Sequence, residues 1–191
     1  MDLRAEEPTR ERVLAAAFRM LDTGSPRVGS QQYAESNGSH GLATLLCSHA
    51  TVRDGVVSLH FPVKSGQEWR SEIADADLAS VVHSLQRRGS NARLLAWRQG
   101  AKWHPVIAQE INAHVRERTG GEFTAKDFRT LHGTVVAAVS FAKHGCEPRK
   151  SARDRAIAQA MRDTSSVLGN TPSIRDSSTA IRSTPRSIRA G

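Results

Sequence analysis

Apolar residues recur along this chain with two different periods, and the change of period marks out its elements. Leu14, Ala17, Phe18 and Leu21 return at three- and four-residue steps, which predicts a helix over residues 9–21. Gly24, Ser25 and Pro26 stop it, because glycine frees the backbone and proline lacks an N–H donor. Residues 27–45 are polar and glycine-rich with short apolar islands, and on periodicity they read as a loop. From residue 48 to 73 the period falls to two. Residues 51–53, 56–61 and 68–73 predict three short strands, with tight turns at Asp54-Gly55 and at Lys64-Ser65-Gly66.

The helical period then returns. Leu78, Val81, Val82 and Leu85 predict a helix that ends before Gly89, and Ile107, Ile111 and Val115 predict another that stops at Gly120-Gly121. Between them Trp97 and Trp103 stand beside Arg98 and Lys102; core packing is the expectation for both rings, with stacking on nucleic acid as the weaker alternative. Thr124 and Asp127 mark a further N-terminus, after which Phe128, Leu131, Val135 and Val139 predict one buried face of a helix ending near Gly145. Ser151 and Asp154 open a last helix that carries Ile157, Met161, Val167 and Leu168 and stops at Gly169. The expected fold class is α+β, mainly α, with a small three-stranded antiparallel sheet, over residues 1–172. Residues 173–191 form a basic tail dense in Ser and Arg with no apolar period to bury, and disorder is the expectation there.

Composition narrows the partners. At 191 residues the chain has room for one core-bearing domain with tails. A formal net charge of +8 and a pI near 10.5 point to a polyanion, nucleic acid before anionic membrane. No stretch approaches the roughly 20 apolar residues of a membrane span, and the acidic, charged residues 1–7 do not read as a signal peptide, so a cytoplasmic location is expected. Cys47 and Cys146 lie in no paired-ligand spacing and read as packing residues, and the histidines show no metal-ligand clustering. Two cations have special positions. Arg129, in a first helical turn, is either a structural ion-pair residue or a pre-oriented fork for a phosphate; Lys64, at a hairpin tip, is either a gatekeeper charge against edge pairing or a functional group.

Five segments share an order and spacing that resemble a known family. They are Arg27-Val28-Gly29 with residues 33–37 (Tyr-Ala-Glu-Ser-Asn), residues 41–45 (Gly-Leu-Ala-Thr-Leu), residues 61–66 (Phe-Pro-Val-Lys-Ser-Gly), residues 123–130 (Phe-Thr-Ala-Lys-Asp-Phe-Arg-Thr) and residues 168–172 (Leu-Gly-Asn-Thr-Pro). Together they resemble the signature segments of the type IB DNA topoisomerases in their bacterial and poxvirus-like form, over residues 9–178. The resemblance implies a catalytic domain related to the tyrosine recombinases, which relaxes supercoiled double-stranded DNA with no cofactor, metal or nucleotide. In that family a tyrosine attacks a backbone phosphate, the 3′-phosphate is held covalently, the 5′ end swivels, and the 5′-hydroxyl reverses the bond. Carried over by motif, Arg27 and Arg129 grip the non-bridging phosphate oxygens, Asn170 donates a further hydrogen bond, Lys64 protonates the departing 5′-oxygen, and Lys126 joins the two arginines in DNA contact. A monomer associated with the nucleoid is the corresponding expectation.

The sequence departs from that pattern at the nucleophile. The family's tyrosine lies nine residues after the Asn of the Gly-Asn-Thr-Pro segment, and the residue nine after Asn170 is Thr179. The sole tyrosine, Tyr33, belongs to the Arg27 segment, where the family has an aromatic that is not the nucleophile. Codons permitted for residues 182–188, read in another frame, can spell a continuation resembling the family's, which motivates the hypothesis of a frameshift near residues 175–181. The gene's nucleotide sequence tests it: no alternative frame with a tyrosine ends the idea. Full-length relatives also carry a β-rich N-terminal clamp domain, and this chain is expected to lack it. Three readings follow: a topoisomerase IB catalytic domain impaired at Thr179, a non-catalytic DNA-binding remnant that keeps the phosphate-binding residues, and a tyrosine-recombinase relative, against which the wording of residues 123–129 and 169–172 stands.

Overall fold

The computed structural model describes residues 3, 7–145 and 149–169. It divides into two compact units, Met1–Arg129 and Thr130–Gly191, which are described separately. The first unit opens with α1 (Arg10–Gly24), whose N-cap Thr9 accepts from the Arg12 N–H. Its C-cap Ser25 takes the left-handed conformation and returns its N–H to Leu21, so that Pro26 follows a closed helix end. The segment read as a loop contains a helix, α2 (Gln31–Asn37), capped by Ser30 and ended by Gly38. It buries none of its residues, which is why no apolar period betrays it.

A three-stranded antiparallel sheet follows, in the order β1 (Ala50–Arg53), β2 (Val56–Val63) and β3 (Gln67–Ala74). Asp54 and Gly55 both have positive φ, as the tight first hairpin requires. In β2 the residues Val57, Leu59, Phe61 and Val63 point inward while His60 and Pro62 are exposed, so the alternation seen in the sequence is the core face itself. Register pairs Phe61 with Trp69 and Val57 with Ile73. Lys64 sits in the single 3-10 turn that joins β2 to β3, at the tip position expected for it.

The sheet lies under α3 (Ala76–Gln86) and α1, and α1 packs in turn on α4 (Ala108–Thr119). Met20, Leu21, Leu78, Leu85, Leu94, Leu95 and Ile111 fill the space between them with no appreciable exposure. Between α3 and α4 the two tryptophans lie on a two-stranded ribbon, β4 (Ala96–Gln99) with β5 (Lys102–Pro105). Core packing holds for Trp97, which rests against the core, and fails for Trp103, which is 38% exposed. The first unit ends in the opening turns of α5 (Ala125–His144).

In the second unit α5 meets α6 (Lys150–Leu168) through small residues. A Cβ added at Gly133 would lie 3.1 Å from Leu168 and 3.4 Å from Thr164, and buried Ser140 donates to Asp163 at 2.7 Å. This corrects the expected buried face: Leu131, Val135 and Val139 are 58%, 50% and 49% exposed, because close approach of α6 selects the small residues of α5 and leaves its larger apolar positions outside. The start of α6 is also corrected. It begins at Lys150 with Arg149 as N-cap and no side-chain cap bond, so Ser151 lies within the helix. Cys146 and the tail at 173–191 fall outside the described residues, whereas Cys47 is buried as a packing residue.

Candidate functional site

The C-terminus of α1 places the first component. Ser25 closes that helix, and its carbonyl accepts from Nη1 of Arg129 at 2.5 Å, so the guanidinium sits at the negative end of a helix dipole. The same guanidinium lies 5.3 Å from the centroid of the Trp69 ring. Trp69 is held by its neighbour Phe61 across the β2–β3 pair, with the rings stacked at 6.4 Å. A cation over an indole in a desolvated setting gains about 2 kcal/mol.

Arg27 follows Ser25 by two residues, and its charge is felt by Arg129. Burial first, and then the Arg27 charge, pull the Arg129 guanidinium down to about 10. Like charges that feel each other in a desolvated setting are unfavourable, and an oxyanion meeting both would relieve the desolvation and the repulsion.

Lys64 is tied to the same neighbourhood through the chain. The Arg27 carbonyl accepts from the Leu42 N–H at 2.8 Å, the Val28 carbonyl accepts from the Ala43 N–H at 2.8 Å, and the His40 N–H donates to the Pro62 carbonyl at 2.8 Å. Pro62 stands two residues before Lys64 at the end of β2. The Lys64 ammonium in turn lies 5.7 Å from the Tyr33 ring centroid, joining the hairpin tip to α2. These stitches need two glycines. A Cβ on Gly41 would lie 2.5 Å from the Gly29 nitrogen and 2.6 Å from the Arg27 carbonyl oxygen, and Gly29 itself has φ +76°.

Beside this seam, His40 and His49 stand edge to face with centroids 4.5 Å apart. His49 accepts from the Leu46 N–H at 3.2 Å, and burial, with His40 and His60 adding positive charge, lowers it to about 4. Among the described residues no group of three or more His, Cys, Asp or Glu is placed to hold a metal ion. A cavity of about 190 Å³ between α1 and α4, lined by Phe18, Arg19, Asp22, His114 and Arg118, includes none of the residues named above. It is a gap in helix packing next to a buried His114.

Thus Arg129 lies within reach of the Arg27 charge, and backbone bonds link the Lys64 hairpin to the Arg27 segment. Lys126 is exposed in the first turn of α5, and Asn170 and Thr179 lie outside the described residues. Sequence reasoning missed three supports. The Ser25 carbonyl has no side-chain signature, and Trp69 read only as one residue of a predicted strand. Asn112 of α4, which accepts from the Ala125 N–H at 3.1 Å and so satisfies a free donor at the start of α5, lies too far along the chain to suggest a cap. The expected pairing of Thr124 and Asp127 is present, with the Asp127 carboxylate accepting from both the N–H and the hydroxyl of Thr124 at 2.8 Å.

The DNA topoisomerase 1B of Acanthamoeba polyphaga mimivirus is 27% identical over 173 residues, covering 86% of this chain and 51% of that protein. The chain therefore spans about half the length of that relative. Residues 1–188 match the family described as eukaryotic DNA topoisomerase I, catalytic core, and the chain belongs to that family.

Proposed function

We propose that this chain is a type IB topoisomerase catalytic domain that grips one phosphodiester of duplex DNA, and that its covalent step is disabled at Thr179. What supports the reading is Arg129, a desolvated guanidinium bonded to the Ser25 carbonyl at the C-terminus of α1 and within reach of the Arg27 charge. On this reading the two guanidinium groups meet the non-bridging oxygens as charge gathers on them, each fixed donor contributing about 2.7–4 kcal/mol in the transition state. Asn170 adds a donor. Lys64 protonates the departing 5′-oxygen, a role typically worth about 10²–10⁴ in rate. Lys126 and the arginines hold the backbone without reading bases.

Thr179 cannot replace a tyrosine. Its hydroxyl lies about 4 Å closer to the backbone than a phenol oxygen, whereas attack needs the reacting atoms within about 3–3.5 Å. An aliphatic hydroxyl is also far harder to ionise than a phenol of pKa about 10.

The test is plasmid relaxation in EDTA, run beside salt-titrated duplex gel shifts. The parent chain should bind duplex and leave supercoils intact, and Thr179→Tyr should gain nicking or relaxation. Relaxation by the parent overturns the disabled step. If Thr179→Tyr binds but stays inert, the second reading holds, a DNA-binding remnant; it is favoured by the same missing tyrosine. Arg129→Ala should weaken duplex binding by about 1.5–3 kcal/mol, the range for a hydrogen bond to a charged group. Unchanged binding makes Arg129 structural and removes the site.

A further inference from the structure

The β4–β5 ribbon lies outside the phosphate site, and its two faces differ. Trp97 and His104 are cross-strand partners stacked at 4.5 Å on the face that packs inward. Arg98 and Trp103 are the partners on the opposite face, and Lys102 stands at the ribbon's exposed end. One plane of the Trp103 ring lies 4.5 Å from the Arg88 guanidinium. Arg88 is itself immobilised, donating to the carbonyls of Leu85 at 2.9 Å and of Arg93 and Leu94 at 2.6 Å each. The ring is therefore a backed, rigid platform, 38% exposed.

Charge says what the platform suits. From Leu78 through Gln109 the chain has five Lys or Arg and no Asp or Glu. With a cation already on its inner plane, the indole is a poor site for a second cation and a good one for a neutral flat ring. A flat ring flanked by anions is a nucleobase between phosphates. Bases inside a duplex have no free face, so the matching ligand is single-stranded.

We propose that the β4–β5 ribbon is a second nucleic-acid contact, on which an unpaired base stacks against Trp103 while Arg98 and Lys102 hold the neighbouring phosphates. It does not rest on the phosphate site proposed above for Arg27 and Arg129, and the two can fail separately.

The experiment measures binding of a fluorescently labelled oligothymidylate, and of a closed dumbbell duplex without free ends, to the full chain by anisotropy. The parent should bind the oligothymidylate with quenching of tryptophan emission. Trp103→Ala should weaken that binding about tenfold or more, with Trp103→Phe retaining most of it, and dumbbell binding should be unchanged. Arg129→Ala should give the reverse pattern. Replacing Arg98 and Lys102 together by Ala, which disturbs no core, should reduce the single-strand salt slope by about 1.4, from about 0.7 per contact. The proposal is overturned if the parent ignores oligothymidylate, if Trp103→Ala leaves its binding intact or lowers both ligands equally, or if the double variant keeps the parental slope. Displacement of the oligonucleotide by polyglutamate at matched charge would also overturn it, in favour of an acidic protein partner.

Discussion

At Gly29 and Gly41 two stretches of backbone touch with nothing between them. Gly41→Ala should cost about 1–3 kcal/mol by overpacking, read in urea titrations. It should weaken duplex binding in parallel, because the displaced strand of chain is the one that carries Arg27. Trp69 tests the other side of the site: Trp69→Leu keeps an apolar wall but removes the ring face under Arg129. A loss of duplex affinity worth about 0.5–2 kcal/mol is expected, without comparable loss with Trp69→Phe. His49 gives a pH signature. Its folded value of about 4 lies below the ordinary 6.5, so between those limits the unfolded chain takes up a proton that the folded one refuses. Stability should therefore fall as pH drops from 6.5 to 4 and level off below. His49→Gln should flatten part of that fall, the rest belonging to His114, which burial also lowers.

Whole elements obey the alternation or helical period wherever one face meets the core, and this decided what could be read in advance. The three strands and both hairpin tips were legible because Val57, Leu59, Phe61 and Val63 all face inward. α2 was not, since a helix held by Ser30 and Gly38 with no buried side chain leaves no period behind. α5 misled for the opposite reason: Leu131, Val135 and Val139 have the right spacing, but the contact with α6 is made by Gly133 and Ser140. The motif wording singled out Arg27, Lys64 and Arg129, while the groups that meet Arg129 are a carbonyl and a ring whose placement is visible only when the chain is folded. Two changes test the helices. Asn112→Ala removes the acceptor for the Ala125 N–H and should cost about 0.5–2 kcal/mol, as loss of a cap does. Gly133→Val should destabilise the α5–α6 pair by about 1–3 kcal/mol, measured by calorimetry, because Leu168 and Thr164 already fill the space.

For the molecule as a whole, a net charge of +8 means that any DNA affinity should decline steeply with salt, and the duplex and single-strand slopes can be measured on one preparation. No helix among the described residues is long and apolar enough to cross a membrane. The chain matches its mimivirus relative over about half of that protein's length, so activity measured on it speaks for this polypeptide and not for the longer one. The depressed proton affinity of Arg129 has a practical corollary. Inorganic sulfate or phosphate bound against this desolvated guanidinium should raise the melting temperature through mass action. That lift should vanish in Arg129→Gln, so occupancy of the site can be followed by heat alone, with no strand ever being cut.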